Sequence, residues 1–335
     1  MSLLITGGAG FIGSNFVRYC SQHFSGRIVV LDKFTYAAQP LDNFVSPLPK
    51  IIRSDINNTE AVSRLITQEN IDTIVHFAAE THVDNSIKDI SPFLKSNILG
   101  TEALLSCSLK HFQKLDKAKQ NKFRFLHIST DEVFGALMPN DRAFTEESPF
   151  RPNNPYSASK ASSDHLVRAY NNTYGLPTIT VNMSNCYGPR QFPEKLIPKT
   201  ISHIVHGLDI PVYGKGLQIR DWNFVEDAVE GIFCILRQGL IGETYNIAGG
   251  NEVQNIDLVK TLLKLVAEST DQRPEFRRSS ITFVPDRPGH DFRYACSIKK
   301  INQLTGWFPK TSLQDGLRKT VEWYLTHEHH LTSSD

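Results

Sequence analysis

Two acids and a tyrosine–lysine pair are the residues whose types and spacing could do chemistry. Asp131 and Glu132 follow an apolar run, Phe123 to Ile128, within Ser129-Thr130-Asp131-Glu132-Val133-Phe134-Gly135. Tyr156 and Lys160 stand at i and i+4, so a helix puts both on one face. A lysine charge there favours the phenolate, which can take a proton from a hydroxyl as hydride leaves the adjacent carbon. Hydride transfer alone needs no further carboxyls. The acid pair adds one group to remove a second proton and one to protonate a leaving group. The competing reading is that Asp131 caps the turn that follows.

A hydride needs an acceptor, and the N-terminus offers a place for one. Thr6-Gly7-Gly8-Ala9-Gly10-Phe11-Ile12-Gly13 follows an apolar strand (3–6) and opens a helix expected over 11–24. Glycines permit a tight turn and let the backbone approach a pyrophosphate at a helix N-terminus, where amides are unpaired. Asp32 closes the second strand, where a carboxylate accepts from ribose hydroxyls and repels a 2′-phosphate. That favours NAD over NADP. Lys33 beside it would tolerate a phosphate and leaves the choice open. Asp55 either caps the adenine end or is a solvated turn acid.

The elements that must position these groups alternate. Strands are expected at 27–31, 51–53, 74–77 and 123–128. Helices are expected from an N-cap at Thr59 to 67, over 91–112, and from Tyr156 to near Gly175. Such alternation predicts right-handed crossovers and a parallel sheet covered on both faces. Past about Asn185, Pro and Gly punctuate shorter elements, with helices expected at 195–206, 226–237, 255–268 and 311–324 and a frayed polar tail over 327–335. The fold class is α/β: a Rossmann-type doubly wound parallel sheet with a smaller mixed α/β C-terminal substrate lobe. Residues 1–184 form the NAD-binding domain that carries the catalytic residues. Residues 185–330 are mainly substrate-binding, and some of their segments cross back to the first domain.

Composition narrows the partners. Thirty-six basic and 35 acidic side chains leave a net charge of +1, so no global field favours nucleic acid or an anionic membrane. Any anionic ligand must be held locally. The five cysteines are scattered without metal or redox spacing and read as free thiols of a reducing compartment. No apolar run approaches the roughly 20 residues that span a bilayer, and the first strand begins at once, so a cytoplasmic location is expected. No metal is expected: His82 and Asp84 lack a third ligand at metal-site spacing and read as a loop clasp.

Taken together, these motifs resemble the extended short-chain dehydrogenase/reductases, and within them the dTDP-glucose 4,6-dehydratases, over nearly the whole chain. The carriers are TGGAGFIG (6–13), LDKFTYA (31–37), HFAAETHVDNSI (76–87), STDEVFG (129–135), NPYSASKASSDHLVRAY (154–170), NCYGPRQFPEKLIP (185–198), IRDWNFVEDA (219–228), YNIAGGNE (245–252) and DRPGHDFRYA (286–295). The resemblance implies NAD as cofactor, contacted by Gly7, Gly10, Phe11, Ile12, Gly13, Asp32, Lys33, Thr35, Asp55, Ile56, Phe77, Ala78, Ala79, Ser96, Tyr156, Lys160 and Cys186. It implies a nucleoside-diphosphate glucose as substrate. Tyr156, with Thr130 and Lys160, would oxidise carbon 4. Glu132 would take the proton from carbon 5, and Asp131 would protonate the departing carbon-6 hydroxyl. Hydride would then return to carbon 6, giving a 4-keto-6-deoxy sugar.

The resemblance also implies a substrate grip. Arg220, Asn255 and Arg287 would hold the pyrophosphate; Asn185, Lys195 and Leu196 would line the phosphate and sugar region. Pro211, Val212 and Tyr213 would flank the base, with Thr81 on the sugar, Thr130 shared with catalysis and His290 at the nucleoside. Related 4-epimerases and decarboxylases remain alternatives, as does an idle NAD-binding regulatory protein. The Asp-Glu pair separates the dehydratase from both. The chain departs from the family at Asn85 (usually Arg), Phe134 (Tyr), Cys186 (Asn), Arg190 (Tyr or His) and Ala228 (His). Arg190 adds charge near the substrate and leaves thymine and uracil both open. The 91–112 helix carries Leu94, Ile98, Leu105, Leu109 and Phe112 on one stripe, with Phe93 and Leu104 off it. The Tyr156 helix offers Leu166, Val167 and Tyr170 away from the catalytic face. A homodimer through a four-helix bundle is expected, the alternative being ordinary buried helices.

Overall fold

The computed structural model describes residues 1–41, 48–270 and 279–331. The first half is built from β1 (Ser2–Thr6), α1 (Phe11–His23), β2 (Arg27–Asp32), β3 (Lys50–Arg53), α2 (Thr59–Gln68) and β4 (Thr73–His76). After α3 (Val83–Lys88) and α4 (Ser91–Phe93) the helix continues as π-helical turns over Leu94–Gly100 and then as α5 (Thr101–Phe112). A short α6 (Lys117–Gln120) precedes β5 (Arg124–Thr130), and α7 (Pro155–Tyr174) leads to β6 (Thr178–Met183). The strands are Val-, Ile- and Leu-rich and mostly buried on both faces, the pattern of a covered parallel sheet.

The second half contributes β7 (Asn185–Tyr187), α8 (Leu196–Val205), β8 (Ile210–Tyr213), β9 (Ile219–Phe224), α9 (Val225–Gln238), β10 (Thr244–Ile247) and β11 (Glu252–Gln254). It ends with α10 (Asn255–Ser269), β12 (Ile281–Val284), α11 (Lys299–Thr305) and α12 (Leu313–Thr326). Among the described residues, seven parallel strands form one sheet in the order β10-β6-β5-β4-β1-β2-β3. The order reverses between β1 and β4, the point at which open α/β sheets leave a crevice beyond their carboxyl ends. A three-stranded sheet (β11-β9-β7) and a two-stranded one (β12-β8) belong to the smaller lobe. That lobe has its own core, with Tyr187, Ile201, Trp222, Leu262 and Tyr324 at its centre.

Several expectations are corrected. Asn58, not Thr59, caps α2: its side chain accepts from the Ala61 amide. The expected single helix over 91–112 is interrupted by the π-helical turns, so its apolar stripe breaks there. Leu94 is 41% exposed and Leu99 59%, while Phe93 and Leu104, expected off the stripe, are buried. No strand was expected between 175 and 185 or at 244–247, yet β6 and β10 complete the large sheet. β6 reads TITVNM, a short fully buried run without the alternation that marks a half-buried strand. β10 and the helix α9 lie beyond residue 184 and pack with the first domain. The tail is not wholly frayed. Glu328–His330 makes a 3₁₀ turn, Leu331 is buried, and its carbonyl accepts from the Ser202 hydroxyl at 2.9 Å. Residues 332–335 lie outside the described residues. Among those described, no helix is long and apolar enough to cross a membrane.

Candidate active site

The glycine turn forms the cradle at the sheet's carboxyl edge. Gly7 has φ +68°, and a Cβ there would stand 2.5 Å from the Ala78 amide nitrogen. A Cβ on Gly13 would meet the Gly7 carbonyl. Side chains at either position would fill the space between β1, α1 and the β4 loop, so the bare backbone is what leaves room for a pyrophosphate over the α1 N-terminus. The cleft above it is about 300 Å³ and takes in every residue expected to contact NAD, from Gly7 through Cys186.

Asp32 is fixed by the backbone. Its carboxylate accepts from the Ala9 amide (2.9 Å) and the Phe34 amide (2.7 Å), which aims it at the cleft's mouth. Lys33 is paired with Glu80 at 3.1 Å, so its charge is partly spent locally. That arrangement favours ribose hydroxyls over a 2′-phosphate. Burial opposes ionisation of Asp55, but hydrogen bonds from the Asn57 amide and side chain outweigh it and hold the carboxyl below its usual range.

The reacting groups converge because β5 runs two residues further than expected, up to Thr130, and a 3₁₀ turn over Asp131–Phe134 follows at once. The Thr130 hydroxyl accepts from the Glu132 amide at 3.3 Å, so Thr130 rather than Asp131 is the side chain that caps the turn. Asp131 is buried, with Oδ2 lacking a protein partner. Burial and the neighbouring Glu132 push its carboxyl well above the usual range, which keeps it a proton donor. Glu132 is partly exposed to the cleft and accepts from Asn154 Nδ2 at 3.3 Å. Asn154 also caps α7 through a reciprocal box with Ser157, and Pro155 starts the helix. The first turn of α7 therefore sets Glu132 and Tyr156 together.

Lys160 is buried and donates to the Ile128 carbonyl at 2.8 Å. Burial pushes it down to about 8, with Asp164 opposing the fall. The i, i+4 spacing predicts that Lys160 lowers the Tyr156 pKa. In the structure burial and the Glu132 charge push the phenol up, against a Thr130 hydrogen bond that pulls it down. The resting phenol is thus protonated.

The substrate side is assembled less completely. Thr81, Thr130, Asn185 and Lys195 line the cleft; Leu196, Pro211, Tyr213, Arg220, Asn255, Arg287 and His290 stand outside it. Lys195 Nζ donates to the Thr81 carbonyl at 2.8 Å and sits 3.7 Å from Glu194. Arg220 is buried and donates to the carbonyls of Ile219, Asp291 and Phe292, with its guanidinium 4.4 Å over Tyr294. Arg287 pairs with Asp84 at 3.5 Å, and the Tyr213 hydroxyl donates to the same carboxylate at 3.0 Å. His290 contacts Asp286 at 2.6 Å; burial pushes it down to about 4. Arg287 Nε, Asn185 Oδ1 and Asn255 Oδ1 are buried without protein partners.

His82 caps α3 by accepting from the Asn85 amide, so His82 and Asp84 clasp different partners. Among the described residues no cluster of His, Cys, Asp or Glu is placed to hold a metal ion. Arg190, expected near the substrate, lies outside the cleft lining at φ +71° with its guanidinium 5.4 Å over Trp323. Sequence reasoning did not single out Glu80, Gln191, Phe192 or Glu194, all of which line the cleft. Glu194 accepts from the Tyr36 hydroxyl at 2.9 Å, and Phe192 meets the Tyr36 ring edge-on at 5.3 Å, so the two lobes touch over the cleft. The signal for Gln191, Phe192 and Glu194 is the stretch QFPEK beside Lys195, and that for Glu80 is HFAAETH beside Thr81.

Comparison with known proteins agrees with this geometry. A family model described as GDP-mannose 4,6 dehydratase matches residues 4–320. dTDP-glucose 4,6-dehydratase 1 of Escherichia coli K12 is 47% identical over 339 residues, covering 98% of this chain and 93% of the relative. The enzyme of that name from Neisseria gonorrhoeae is 46% identical over 333 residues, covering 98% and 96%. A crystal structure of dTDP-glucose 4,6-dehydratase from Bacillus anthracis in complex with NAD superposes with a TM-score of 0.85 at 38% identity, covering 98% of each chain.

Proposed function

The chain belongs to the GDP-mannose 4,6-dehydratase family, among its dTDP-glucose 4,6-dehydratases, and from that premise we infer that it dehydrates dTDP-glucose to the 4-keto-6-deoxy sugar with NAD as cofactor. The observation that carries this beyond generic hydride chemistry is the pairing of buried, proton-bearing Asp131 with cleft-facing Glu132 beside Tyr156. When bound, NAD supplies a positive ring and a reversible hydride acceptor for oxidation at carbon 4 and reduction at carbon 6.

The chain's own residues do the rest. Gly7, Gly10 and Gly13 leave the cradle open, Asp32 orients a ribose, and Ser96, Thr35, Ile56, Phe77 and Ala79 wall the cleft. Tyr156 must first lose its phenol proton to solvent, which the Thr130 hydrogen bond favours and the charge of Lys160 one turn on supports; the phenolate then takes the proton of the carbon-4 hydroxyl. The ketone acidifies carbon 5, and Glu132 removes that proton. Asp131 gives its proton to the carbon-6 hydroxyl, which leaves as water. Arg287, Asn255 and Arg220 offer the diphosphate its cations and donors, Lys195 and Asn185 meet the sugar end, and Tyr213 with Pro211 flanks the base while His290 stays neutral beside it.

The reading divides the chain functionally into residues 1–184 for NAD and catalysis and 185–330 mainly for substrate. The chain works in the cytoplasm as a homodimer. What supports the dimer is the exposed apolar surface of Ile87, Ile90, Leu94 and Leu99, and of Tyr174 at the end of α7, although Val167, expected on the same face of α7, is buried.

One assay tests the reading. The protein is incubated with dTDP-glucose, and separately with UDP-glucose, without added reductant. A 4-keto-6-deoxy product from dTDP-glucose is expected; an epimerised product, or none, overturns it.

A further inference from the structure

Beneath the reacting groups lies a buried acid that this cycle does not use. Asp164 sits one turn past Lys160 on α7 and is 4% exposed. Its carboxylate accepts from the Ser129 hydroxyl at 2.8 Å and from Asn182 Nδ2 at 3.2 Å, and faces His127 Nε2 at 3.1 Å. Asn182 Nδ2 also donates to the Thr130 carbonyl at 3.2 Å. With the Lys160 bond to the Ile128 carbonyl, three consecutive residues of β5 are tied, directly or through β6, to one face of α7.

Hydrogen bonds satisfy such a carboxylate, but a charge withdrawn from water also needs a countercharge. Asp164 is surrounded by few. On α7 it has Lys160 and the exposed His165; on β5 it has His127, and beyond that ring His76 of β4. Tyr156 feels the charge of Asp164 together with those of Glu132 and Asp131. Burial, then the neighbouring His127 and last the charge of Lys160 push His76 well below the ordinary histidine range; burial and then Lys160 do the same to His127, so both rings are neutral. The Lys160 ammonium is left as the buried cation beside Asp164. Each supports the other's charge: burial pushes Asp164 up to about 6 and Lys160 down to about 8, and each opposes the other's shift.

We propose that Asp164 is a positioning residue for the proton-and-hydride step: it keeps the Lys160 ammonium charged beneath Tyr156 and locks β5 to α7, without touching the sugar. The proposal deepens the dehydratase reading and rests on it for its kinetic half. Its other half is read without substrate.

In Asp164→Asn, Lys160 loses its countercharge. Its titration, followed by NMR of ¹³Cε-lysine and assigned with Lys160→Arg, should move down by at least about one pH unit. The alkaline limb of kcat for dTDP-glucose should move down with it, while KM stays within about twofold, as expected for a group that does not contact substrate. A merely structural acid would lower kcat at every pH and leave both titrations in place.

Ser129→Ala covers the case in which Asp164→Asn does not fold. It keeps the carboxylate and removes one donor, so Asp164 binds its proton more readily and the acid limb of kcat moves to higher pH. A folded Asp164→Asn whose Lys160 titration is unmoved overturns the proposal, as does Ser129→Ala with its acid limb in place. Wild-type protein that makes no 4-keto-6-deoxy sugar would sink the dehydratase reading instead and leave the Lys160 titration to decide this one.

Discussion

The catalytic floor and the nucleotide rim are built on opposite plans. Beneath Thr130 and Tyr156 the polar groups are buried and mostly bonded to one another: Lys160 to a carbonyl, Asp164 to two donors and a histidine, Thr130 to an amide. At the rim Asp84, in the first turn of α3, holds Tyr213 and Arg287, and His290 meets the exposed Asp286, in pairs that join a helix start, a strand end and a loop. A buried network holds geometry and charge before substrate arrives, which is where transition-state stabilisation comes from. The Arg287–Asp84 ion pair of the rim is partly open to solvent and costs little to rearrange, so Arg287 can exchange Asp84 for a phosphate. The floor should therefore govern kcat and the rim KM.

The largest break with that division would come at Tyr156. Tyr156→Phe should lower kcat by about 10²–10⁴, the usual worth of a proton-transfer group, with KM held; steady-state kinetics decide, and a change confined to KM would erase the contrast. Glu132→Gln should cut turnover by a similar or smaller factor within that range. Carbon-4 oxidation should survive in it, seen as cofactor reduction in a single-turnover absorbance trace; if reduction vanishes in a folded protein, the division of labour between Tyr156 and Glu132 is wrong.

On the rim, Arg287→Ala should raise KM about 10–100-fold, in line with a lost charged hydrogen bond, and leave kcat within a few-fold. A kcat collapse would make the rim part of the floor. The pH profile sharpens the same point. His290 lies below its ordinary value at about 4, so it is neutral above that and KM should show no histidine step near neutrality; isothermal titration with dTDP at several pH values reads this directly. The smallest effect belongs to Lys33→Ala, which breaks an exposed pair worth about 1 kcal/mol or less. NAD should keep its preference over NADP in a competition assay.

Sequence reasoning was strongest where one local pattern fixes one geometry. The Gly-rich turn, the i, i+4 pair and the acid pair after an apolar strand each constrain their own backbone, and they meet in the cleft. It was weaker where position depends on distant partners. β10 joins β6 only once the chain returns from the smaller lobe, and nothing in TYNI announces that crossing. Asp164 reads as a polar helix residue until Ser129 and Asn182 are brought to it. Arg190 looked like a substrate cation because its motif lies near the phosphate residues, yet a left-handed backbone turns it onto Trp323. The phenol of Tyr156 was expected to be lowered by its lysine, a pairwise argument that burial and Glu132 outweigh.

The π-helical turns at Leu94–Gly100 have one more consequence. Winding more loosely there, the backbone falls out of angular phase with an α-helix of the same length, so the segments before and after it point their side chains in directions no single helix could combine. Within those turns Asn97 reaches the Glu80 backbone in both directions, at 2.8 and 3.0 Å, and the Ser159 hydroxyl at 2.9 Å. Substitutions in this segment change only what one side chain contacts. Rewinding these turns to 3.6 residues per turn with every residue kept would rotate everything after them by about 100°, turning Leu104 and Leu105 out of the core, whereas deleting one residue would absorb that rotation. The winding of this helix, more than any one residue in it, holds the cleft wall to α7.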